Sequence, residues 1–273
     1  MRSRLGIIGH PVAHSLSPAI QGAALQAARI EASYEHWDTA AAALPARVAS
    51  LRDEGCLGAN VTIPHKEAVL ELLDEVAPQA REIGAVNTIV NDGGRLVGHN
   101  TDGGGFVAAL GEASFEPAGK RFLLLGAGGA ARGIAFALMH AGAGEVAIAN
   151  RTGARAESLA TAVGGRAVAA GAELAPYHCV VNCTSVGMDG SGTEADLPCD
   201  LASASPGTLV VDIVYAPAET ALLRAAAAAG LPALGGLPML IHQGALAFAL
   251  WTGRPPPLEA MREAARGALV GRG

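Results

Sequence analysis

The chain has 273 residues, half of them apolar but only 4% aromatic, and a formal net charge of -6. This length suits one large α/β domain or two modest ones, with a core built from Ala, Val, Leu and Ile. The negative charge argues against nonspecific binding to nucleic acid or to an anionic membrane surface. Any anionic substrate must therefore be held by local groups.

No apolar run approaches the ~20 residues that a membrane span needs. The N-terminal apolar run is broken by Gly9 and Pro11, unlike that of a signal peptide. We expect a cytoplasmic protein with no membrane partner. The cysteines show neither C-x-x-C nor metal-ligand spacing, so buried free thiols and no metal site are expected; they are Cys56, Cys179, Cys183 and Cys199.

The first predicted elements are a strand at 4–9 and a helix at 19–30, joined by a loop that contains two serines. Ser17 precedes Pro18, so we expect Ser17 to be the N-cap of this helix. That role does not explain Ser15. Two hydroxyl groups at a helix entry could also hydrogen-bond a carboxylate, and both interpretations of this loop stay open.

A strand at 32–37, a helix at 45–53 and a strand at 60–63 follow. Pro64 is expected to end the last strand and to open a helix that runs to about residue 76. Lys66 would then lie in the first helical turn, where the macrodipole disfavours a cation by a few tenths of a kcal/mol or more. A bound anion would reverse that effect, although surface lysines also occur there without one.

Residues 84–99 predict a β-hairpin, with its turn at the Asn-Asp-Gly-Gly sequence of 91–94. Another helix is expected to open after Asn100 and Thr101. Asp102 precedes it and has an ordinary explanation as an N-cap. By itself, this position indicates no chemistry.

The centre of the chain carries a dinucleotide-binding pattern. A buried strand at 122–125 runs into Gly126, Gly128 and Ala131, spaced as G-x-G-x-x-A. In such loops the first glycine allows a tight turn and the second lets backbone amides approach a pyrophosphate, while the small third residue lets helix and strand pack. The pattern alone is weak in a chain with 36 glycines.

The next strand, at 145–149, strengthens this interpretation. An NAD site places an acidic residue at this strand end to bind the ribose 2'-hydroxyl, but the sequence here is Asn150, Arg151, Thr152. Arg151 and Arg155 bracket Thr152 and suit a 2'-phosphate. The sequence therefore favours NADP over NAD.

Strands and helices then alternate, with strands at 166–168, 178–183 and 209–214 and helices at 154–163 and 221–229. Alternation of this kind predicts βαβ units in a parallel sheet, which binds ligands at the carboxyl ends of its strands. Two helices, starting near 236 and at 258–269, have no following strands. We expect them to pack on the N-terminal half, with His242 as a core histidine and Gln243 needing partners.

Nine motifs in chain order resemble those of the shikimate dehydrogenase family and cover essentially the whole chain. They are Ser15-x-Ser17-Pro18, Asn60-Val-Thr62-x-Pro64-x-Lys66, Gly84-Ala-Val-Asn87-Thr88, Asn100-Thr101-Asp102-x-x-Gly105-Phe106, Gly126-Ala-Gly128-Gly-Ala-Ala, Asn150-Arg151-Thr152, Asn182-x-Thr184-Ser185-x-Gly187, Asp212-x-x-Tyr215-x-Pro217 and Met239-Leu-x-x-Gln243. The resemblance implies an α/β fold with a discontinuous substrate domain, residues 1–102 and 236–273. An inserted Rossmann domain, residues 103–235, would bind NADP, with a cleft between the two.

The implied activity is the reversible NADP-dependent reduction of 3-dehydroshikimate to shikimate by hydride transfer, in chorismate and aromatic amino-acid biosynthesis. Lys66 and Asp102 would be the catalytic pair. Substrate would be bound by Ser15, Ser17, Asn60, Thr62, Asn87, Tyr215 and Gln243. The cofactor would be bound by Gly126, Ala127, Gly128, Gly129, Ala130, Asn150, Arg151, Thr152, Arg155, Ile213 and Gly236.

The sequence also departs from the family pattern. Gln21-Gly22 replaces a common His-Asn, His65 replaces a common Phe, and Pro238 interrupts a glycine-rich helix entry. These departures keep quinate and an amino-substituted shikimate open as alternative substrates. A noncatalytic NADP-binding regulator is a further alternative, but retention of Lys66 and Asp102 argues against it. A monomer or homodimer is expected, and neither this choice nor the direction of flux follows from the sequence.

Overall fold

A computed structural model describes residues 3–270. The chain divides into two compact units, one formed by Met1–Gly105 with Ile241–Gly273 and the other by Phe106–Leu240. Each unit contains a six-stranded sheet. Within the described part of the chain, no helix combines the length and apolar character needed to cross a membrane.

The strands are β1 Ser3–Gly9, β2 Ala32–Asp38, β3 Cys56–Val61, β4 Glu75–Val76, β5 Thr88–Asp92, β6 Arg95–His99, β7 Arg121–Leu125, β8 Glu145–Ala149, β9 Arg166–Val168, β10 Cys179–Asn182, β11 Leu209–Asp212 and β12 Ala233–Leu234. The α-helices are α1 Ser17–Ala27, α2 Leu44–Ala49, α3 Pro78–Ile83, α4 Asp102–Glu112, α5 Gly129–His140, α6 Gly153–Val163, α7 Ala221–Ala228, α8 Leu237–Thr252 and α9 Leu258–Val270.

The sheet of the first unit has the strand order β2-β1-β3-β5-β6-β4. β1 runs parallel to both β2 and β3, whereas β5 is antiparallel to β3 and β6. The register pairs Asn60 with Thr88 and Thr88 with His99. The ends of β1, β3 and β6 and the start of β5 therefore lie at one edge of the sheet, called the first-sheet edge below.

The sheet of the second unit is parallel throughout, in the order β12-β11-β10-β7-β8-β9. Its strands are buried aliphatic runs, such as Leu123, Val180 and Val210, with Leu222 of α7 in the same cluster. This is the predicted Rossmann-like sheet, and the α/β fold class is confirmed. Strand order reverses between β7 and β10, the position where open α/β sheets bind ligands.

The predicted hairpin is confirmed, and its turn shows why the sequence specifies it. Asp92 pairs with Arg95, which leaves a two-residue loop of Gly93 and Gly94. Both glycines have positive φ, 58° and 93°, as a two-residue hairpin turn of this kind requires. The Asn91 side chain accepts a hydrogen bond from Gly94 N at 2.7 Å.

The predicted helix from Pro64 to about residue 76 is wrong. This segment contains turns, a 3-10 helix at Ala68–Leu72 and the short strand β4. Lys66 O accepts from Val86 N at 2.8 Å, and the His65 ring binds Thr39 O at 2.6 Å. These long-range bonds override the local helical preference, so Lys66 lies in a turn and the macrodipole argument for it does not apply.

Two predicted helix caps are also corrected. α1 begins at Ser17, and its N-cap is Leu16, which makes no side-chain capping bond. The local hydroxyl interaction comes instead from Ser15, whose Oγ accepts from Ser17 N at 3.2 Å. α4 begins at Asp102 itself, and that carboxylate binds side chains from other segments.

The four cysteines are free thiols, two of them buried and two half-buried. Burial raises the pKa of each thiol; for Cys199 it raises the pKa to about 11. A protonated thiol is a poor nucleophile. The cysteines are therefore packing residues rather than reactive groups.

The close approach of β3 and β5 is testable at Gly58. Its φ is +143°, and a Cβ there would lie 2.1 Å from Ile89 O, whereas Gly55 has φ +81° and no atom within 4 Å. We expect Gly55→Ala to cost about 1 kcal/mol from backbone strain and Gly58→Ala about 3 kcal/mol because β5 must also shift. Urea denaturation of both variants measures this difference, and equal losses would contradict the steric explanation.

Candidate active site

The Lys66 ammonium and the Asp102 carboxylate meet at the first-sheet edge. Lys66 Nζ donates to Asp102 Oδ2 at 2.5 Å, and the two side chains are 13% and 6% exposed. Residue 66 follows β3, and residue 102 opens α4. The structure thus brings together the two residues predicted to be catalytic.

The segment before β5 holds both partners in place. Lys66 O accepts from Val86 N at 2.8 Å. Asn100 donates from Nδ2 to Ala85 O at 2.9 Å and accepts from Asp102 N at 3.1 Å. Hydrogen bonds to the backbone of residues 85–86 therefore hold the main chain at Lys66 directly and at Asp102 through Asn100. This explains how a lysine in an irregular turn has a defined position.

Asn87 contacts the carboxylate from the opposite side. Its Nδ2 lies 2.8 Å from Asp102 Oδ1, 2.9 Å from Thr101 Oγ1 and 3.3 Å from Gln243 Oε1. An amide nitrogen carries only two hydrogens, so the longest contact, to Gln243, is the weakest of the three. Burying an ion pair is costly unless its remaining polar atoms are satisfied, and Asn87 supplies that partner for Asp102.

Glycines allow Gln243 to come close to this group. A Cβ on Gly105 would lie 2.6 Å from Gln243 N, and one on Gly104 would lie 2.9 Å from Leu246 Cδ1. At Gly105 the clash would be with the backbone of α8, so only glycine allows this close approach there, whereas at Gly104 the Leu246 side chain can move away. The motif glycine Gly105 therefore has a packing role at the site.

The other substrate-binding candidates of the first unit share the same edge. Ser15 lies in the loop after β1 and Ser17 opens α1. Thr62 follows β3, and its Cγ2 would lie 2.4 Å from a Cβ on Gly9. Asn60, at 4% exposure, donates to Asn87 O and Thr88 Oγ1, both at 3.1 Å. Ser15 is half-buried and Ser17 is buried.

The cofactor candidates belong to the second unit and follow the carboxyl ends of its strands. Residues 126–130 follow β7, residues 150–155 follow β8, Ile213 follows β11 and Gly236 follows β12. Tyr215, predicted to bind substrate, lies in the loop after β11. Arg151, Thr152 and Arg155 are exposed.

The loop after β7 has the geometry of a phosphate cradle. Gly126 has φ +115°, and a Cβ there would lie 3.1 Å from Cys183 O, in the segment after β10. Gly128 is the N-cap of α5 and has open space where a Cβ would be. The N–H groups of the first helical turn can bind an anion, so these residues fit a dinucleotide pyrophosphate.

Sequence reasoning missed how the loop after β11 is anchored. Asp212, fully buried, accepts from Asn182 Nδ2 at 2.9 Å, Val214 N at 3.0 Å and Thr220 Oγ1 at 2.7 Å. Burial raises the pKa of Asp212, although these three donors act in the opposite direction. The sequence did contain an indication of this anchoring, because Asn182 and Asp212 are polar residues in predicted buried strands and need hydrogen-bond partners there.

Three family profiles match the chain. They are the shikimate dehydrogenase substrate binding domain over residues 7–89, shikimate / quinate 5-dehydrogenase over 109–185, and the shikimate 5'-dehydrogenase C-terminal domain over 236–266. Together these matches follow the chain through both compact units.

Similar proteins point the same way. A shikimate dehydrogenase (NADP(+)) of Symbiobacterium thermophilum is 48% identical over 98% of this chain and 95% of its own. The crystal structure of a Thermus thermophilus shikimate 5-dehydrogenase in complex with NADP(H) and shikimate is 46% identical, with a TM-score of 0.90 over 98% of this chain and 100% of its own. A Corynebacterium glutamicum quinate dehydrogenase in complex with NAD is 36% identical, with a TM-score of 0.88 over 97% and 99%.

The buried carboxylate of Asp212 predicts a pH dependence of stability. Its pKa is raised above the usual 3.8 in the folded state, so the folded protein holds this proton more tightly than the unfolded chain. The contribution of Asp212 to the free energy of unfolding is therefore complete below the pKa that it has in the unfolded chain. It is lost as pH rises through the higher pKa that it has in the folded protein. We expect the free energy of unfolding of wild type minus that of Asp212→Asn to fall over that window.

Urea denaturation at a series of pH values from about 3.8 upward measures this difference. Asp196→Asn, at an exposed carboxylate of the same unit, controls for the loss of one charge. A difference between wild type and Asp212→Asn that grows as pH rises would contradict the assignment.

Proposed function

Because this chain belongs to the shikimate dehydrogenase family, we propose that Lys66 and Asp102 are its catalytic pair. Its activity is NADP-dependent shikimate dehydrogenation, and its cofactor is NADP. The observation that supports the residue roles is the 2.5 Å contact between an ammonium and a carboxylate. Two charges held together at a sheet edge, largely removed from solvent, suit proton transfer to a bound ketone.

The proposed roles follow from the charges involved. When bound, the reduced cofactor NADPH would supply the hydride for ketone reduction, and NADP would accept it in the reverse direction. Reduction of the ketone builds negative charge on its oxygen, which the Lys66 ammonium stabilises and then protonates. In the oxidation direction, neutral Lys66 takes the hydroxyl proton. The Asp102 carboxylate accepts a hydrogen bond from Lys66 and orients both that side chain and the substrate.

The neighbouring polar groups are proposed to bind the rest of the substrate. Ser15 and Ser17 supply hydroxyl donors for its carboxylate, in the segment after β1. Thr62, Asn87, Tyr215 and Gln243 bind it further, and Asn60 supports Asn87 from within the sheet. This assignment is supported by the first-sheet edge, where the segments after β1 and β3 and before β5 are neighbours, and by the 3.3 Å contact between Asn87 Nδ2 and Gln243 Oε1.

The second unit is proposed to bind NADP. Residues 126–130 hold the pyrophosphate, residues 150–155 hold the 2'-phosphate, and Ile213 and Gly236 line the nicotinamide. The lack of an acidic residue after β8 and the exposed guanidinium groups there support a phosphorylated cofactor. The domain boundaries at 102/103 and 235/236, a cytoplasmic location and a monomeric or homodimeric state stay predictions.

The catalytic role of Lys66 is tested by Lys66→Ala. Loss of the general acid and of its charge is expected to lower kcat about 10²–10⁴-fold, with NADP affinity nearly unchanged because Lys66 does not belong to the cofactor unit. Shikimate oxidation followed by NADPH absorbance gives kcat, and a titration of NADP gives its Kd. Lys120→Ala removes the other lysine of the chain and should leave both values unchanged.

An equal loss of NADP binding in Lys66→Ala would mean that the lysine has been misassigned.

Quinate should be assayed beside shikimate. We expect the higher kcat/KM with shikimate, because the relatives of higher identity carry that activity.

The choice of NADP over NAD is tested by Arg151→Ala. Removal of a charged donor to the 2'-phosphate is expected to raise KM for NADP about tenfold or more, while KM for NAD changes little. Arg121→Ala, an exposed arginine at the opposite end of the same sheet, is the matched control. A parallel rise in KM for both cofactors would exclude a specific phosphate contact.

A further inference from the structure

We propose that Tyr34 and Thr88 are positioning residues for the Lys66–Asp102 pair. They act through a buried chain of directed hydrogen bonds that runs from β2 to the carboxylate. This inference rests on the proposed catalytic role of the pair. Tyr34 belongs to none of the motifs described above, and neither residue is among the predicted site residues.

The first half of the chain sets the orientation of the Asn60 amide. Tyr34 OH donates to Asn60 Oδ1 at 2.7 Å. With its oxygen so engaged, Asn60 presents Nδ2 to Thr88 Oγ1 at 3.1 Å. The strand register supports this contact, because Asn60 of β3 lies opposite Thr88 of β5.

The second half carries this orientation to the ion pair. Thr88 Oγ1 accepts from Asn60, and the nearer acceptor for its own proton is Asn87 Oδ1 at 3.0 Å, with Thr101 Oγ1 at 3.4 Å. Asn87 Nδ2 then faces Asp102 Oδ1 at 2.8 Å. An inverted Asn87 amide would place oxygen against carboxylate, where neither atom can donate. The chain therefore favours the one orientation that supports Asp102.

The far end of the chain is rigidly held. Tyr34 is 8% exposed, and its ring packs against Trp251 with centroids 6.1 Å apart. Trp251 Nε1 donates to Ile89 O at 2.9 Å, in the strand that carries Thr88. The phenol thus has a fixed position relative to β5, as a positioning group requires.

Two further donors limit the size of the effect. Thr101 donates to Asn87 Oδ1 from its backbone N at 2.8 Å and from its Oγ1 at 3.2 Å, and these groups hold the amide when Thr88 is changed. Removal of the Thr88 hydroxyl should therefore weaken the placement of Asn87 without abolishing it. We expect kcat to fall roughly fivefold, the effect of one lost hydrogen bond, rather than by the orders of magnitude expected for Lys66.

The test uses Thr88→Val, which keeps the side-chain shape and removes the hydroxyl, and Thr88→Ser, which keeps the hydroxyl. Thr88→Val should lower kcat for shikimate oxidation roughly fivefold with KM for NADP unchanged, and Thr88→Ser should restore most of it. Tyr34→Phe should lower kcat in the same direction. Tyr177→Phe is the matched control, since it removes another buried phenol hydroxyl, bound to Arg166 in the second unit, and should leave kcat unchanged.

The double variant Tyr34→Phe with Thr88→Val separates a connected chain from general destabilisation. Groups that act in series are not additive, so the double variant should be no slower than Thr88→Val alone. Multiplied losses, no loss in either single variant, or a Thr88→Ser variant as slow as Thr88→Val would overturn the proposal. If Lys66→Ala kept its turnover, the proposed catalytic role of Lys66 would be wrong. If Lys66→Ala lost its turnover but Thr88→Val kept the wild-type kcat, only the proposed hydrogen-bonded chain would be wrong.

Discussion

The contact between Lys66 Nζ and Asp102 Oδ2 depends on the segment between them. A largely buried ion pair is costly to desolvate and gains stability only when its geometry is good and its other polar atoms are bonded. The backbone of 85–86 and the Asn87 side chain meet that condition, since they bind Lys66 O, Asn100 and Asp102 Oδ1. The segment that leads into the hairpin therefore supports the proposed catalytic pair as well as the sheet.

Strand direction explains why this arrangement forms. In a purely parallel sheet, the start of a strand lies at the opposite edge from the ends of its neighbours. β5 is antiparallel to β3, so Asn87, just before β5, lies at the edge where β1 and β3 end. The second unit is parallel throughout and gathers its candidate loops only from strand ends. The first sheet thus gathers its candidate residues from strand ends and from the start of an antiparallel strand, whereas the second gathers them from strand ends alone.

Local patterns predicted most of this fold and identified the motif residues, because glycine turns and aliphatic strands act over short distances. The two-glycine hairpin and the strand at Arg166–Val168 are examples. The helix predicted after Pro64 was wrong because hydrogen bonds to Val86 and Thr39, which are far away along the chain, set the conformation of this segment. For the same reason, no local pattern could show that Tyr34 of β2 reaches Asn60 of β3.

The departures from the family pattern have a structural explanation in the first unit. His65 is 1% exposed and donates to Thr39 O, and Gln21, also 1% exposed, donates from Nε2 to Gly244 O at 2.8 Å. The first bond ties the residue before Lys66 to the segment after β2, and the second ties the residue after Gln243 to α1. Buried polar groups that bond to backbone fix position rather than select a ligand. These two changes consequently alter how the site is supported more than which groups it presents to the substrate.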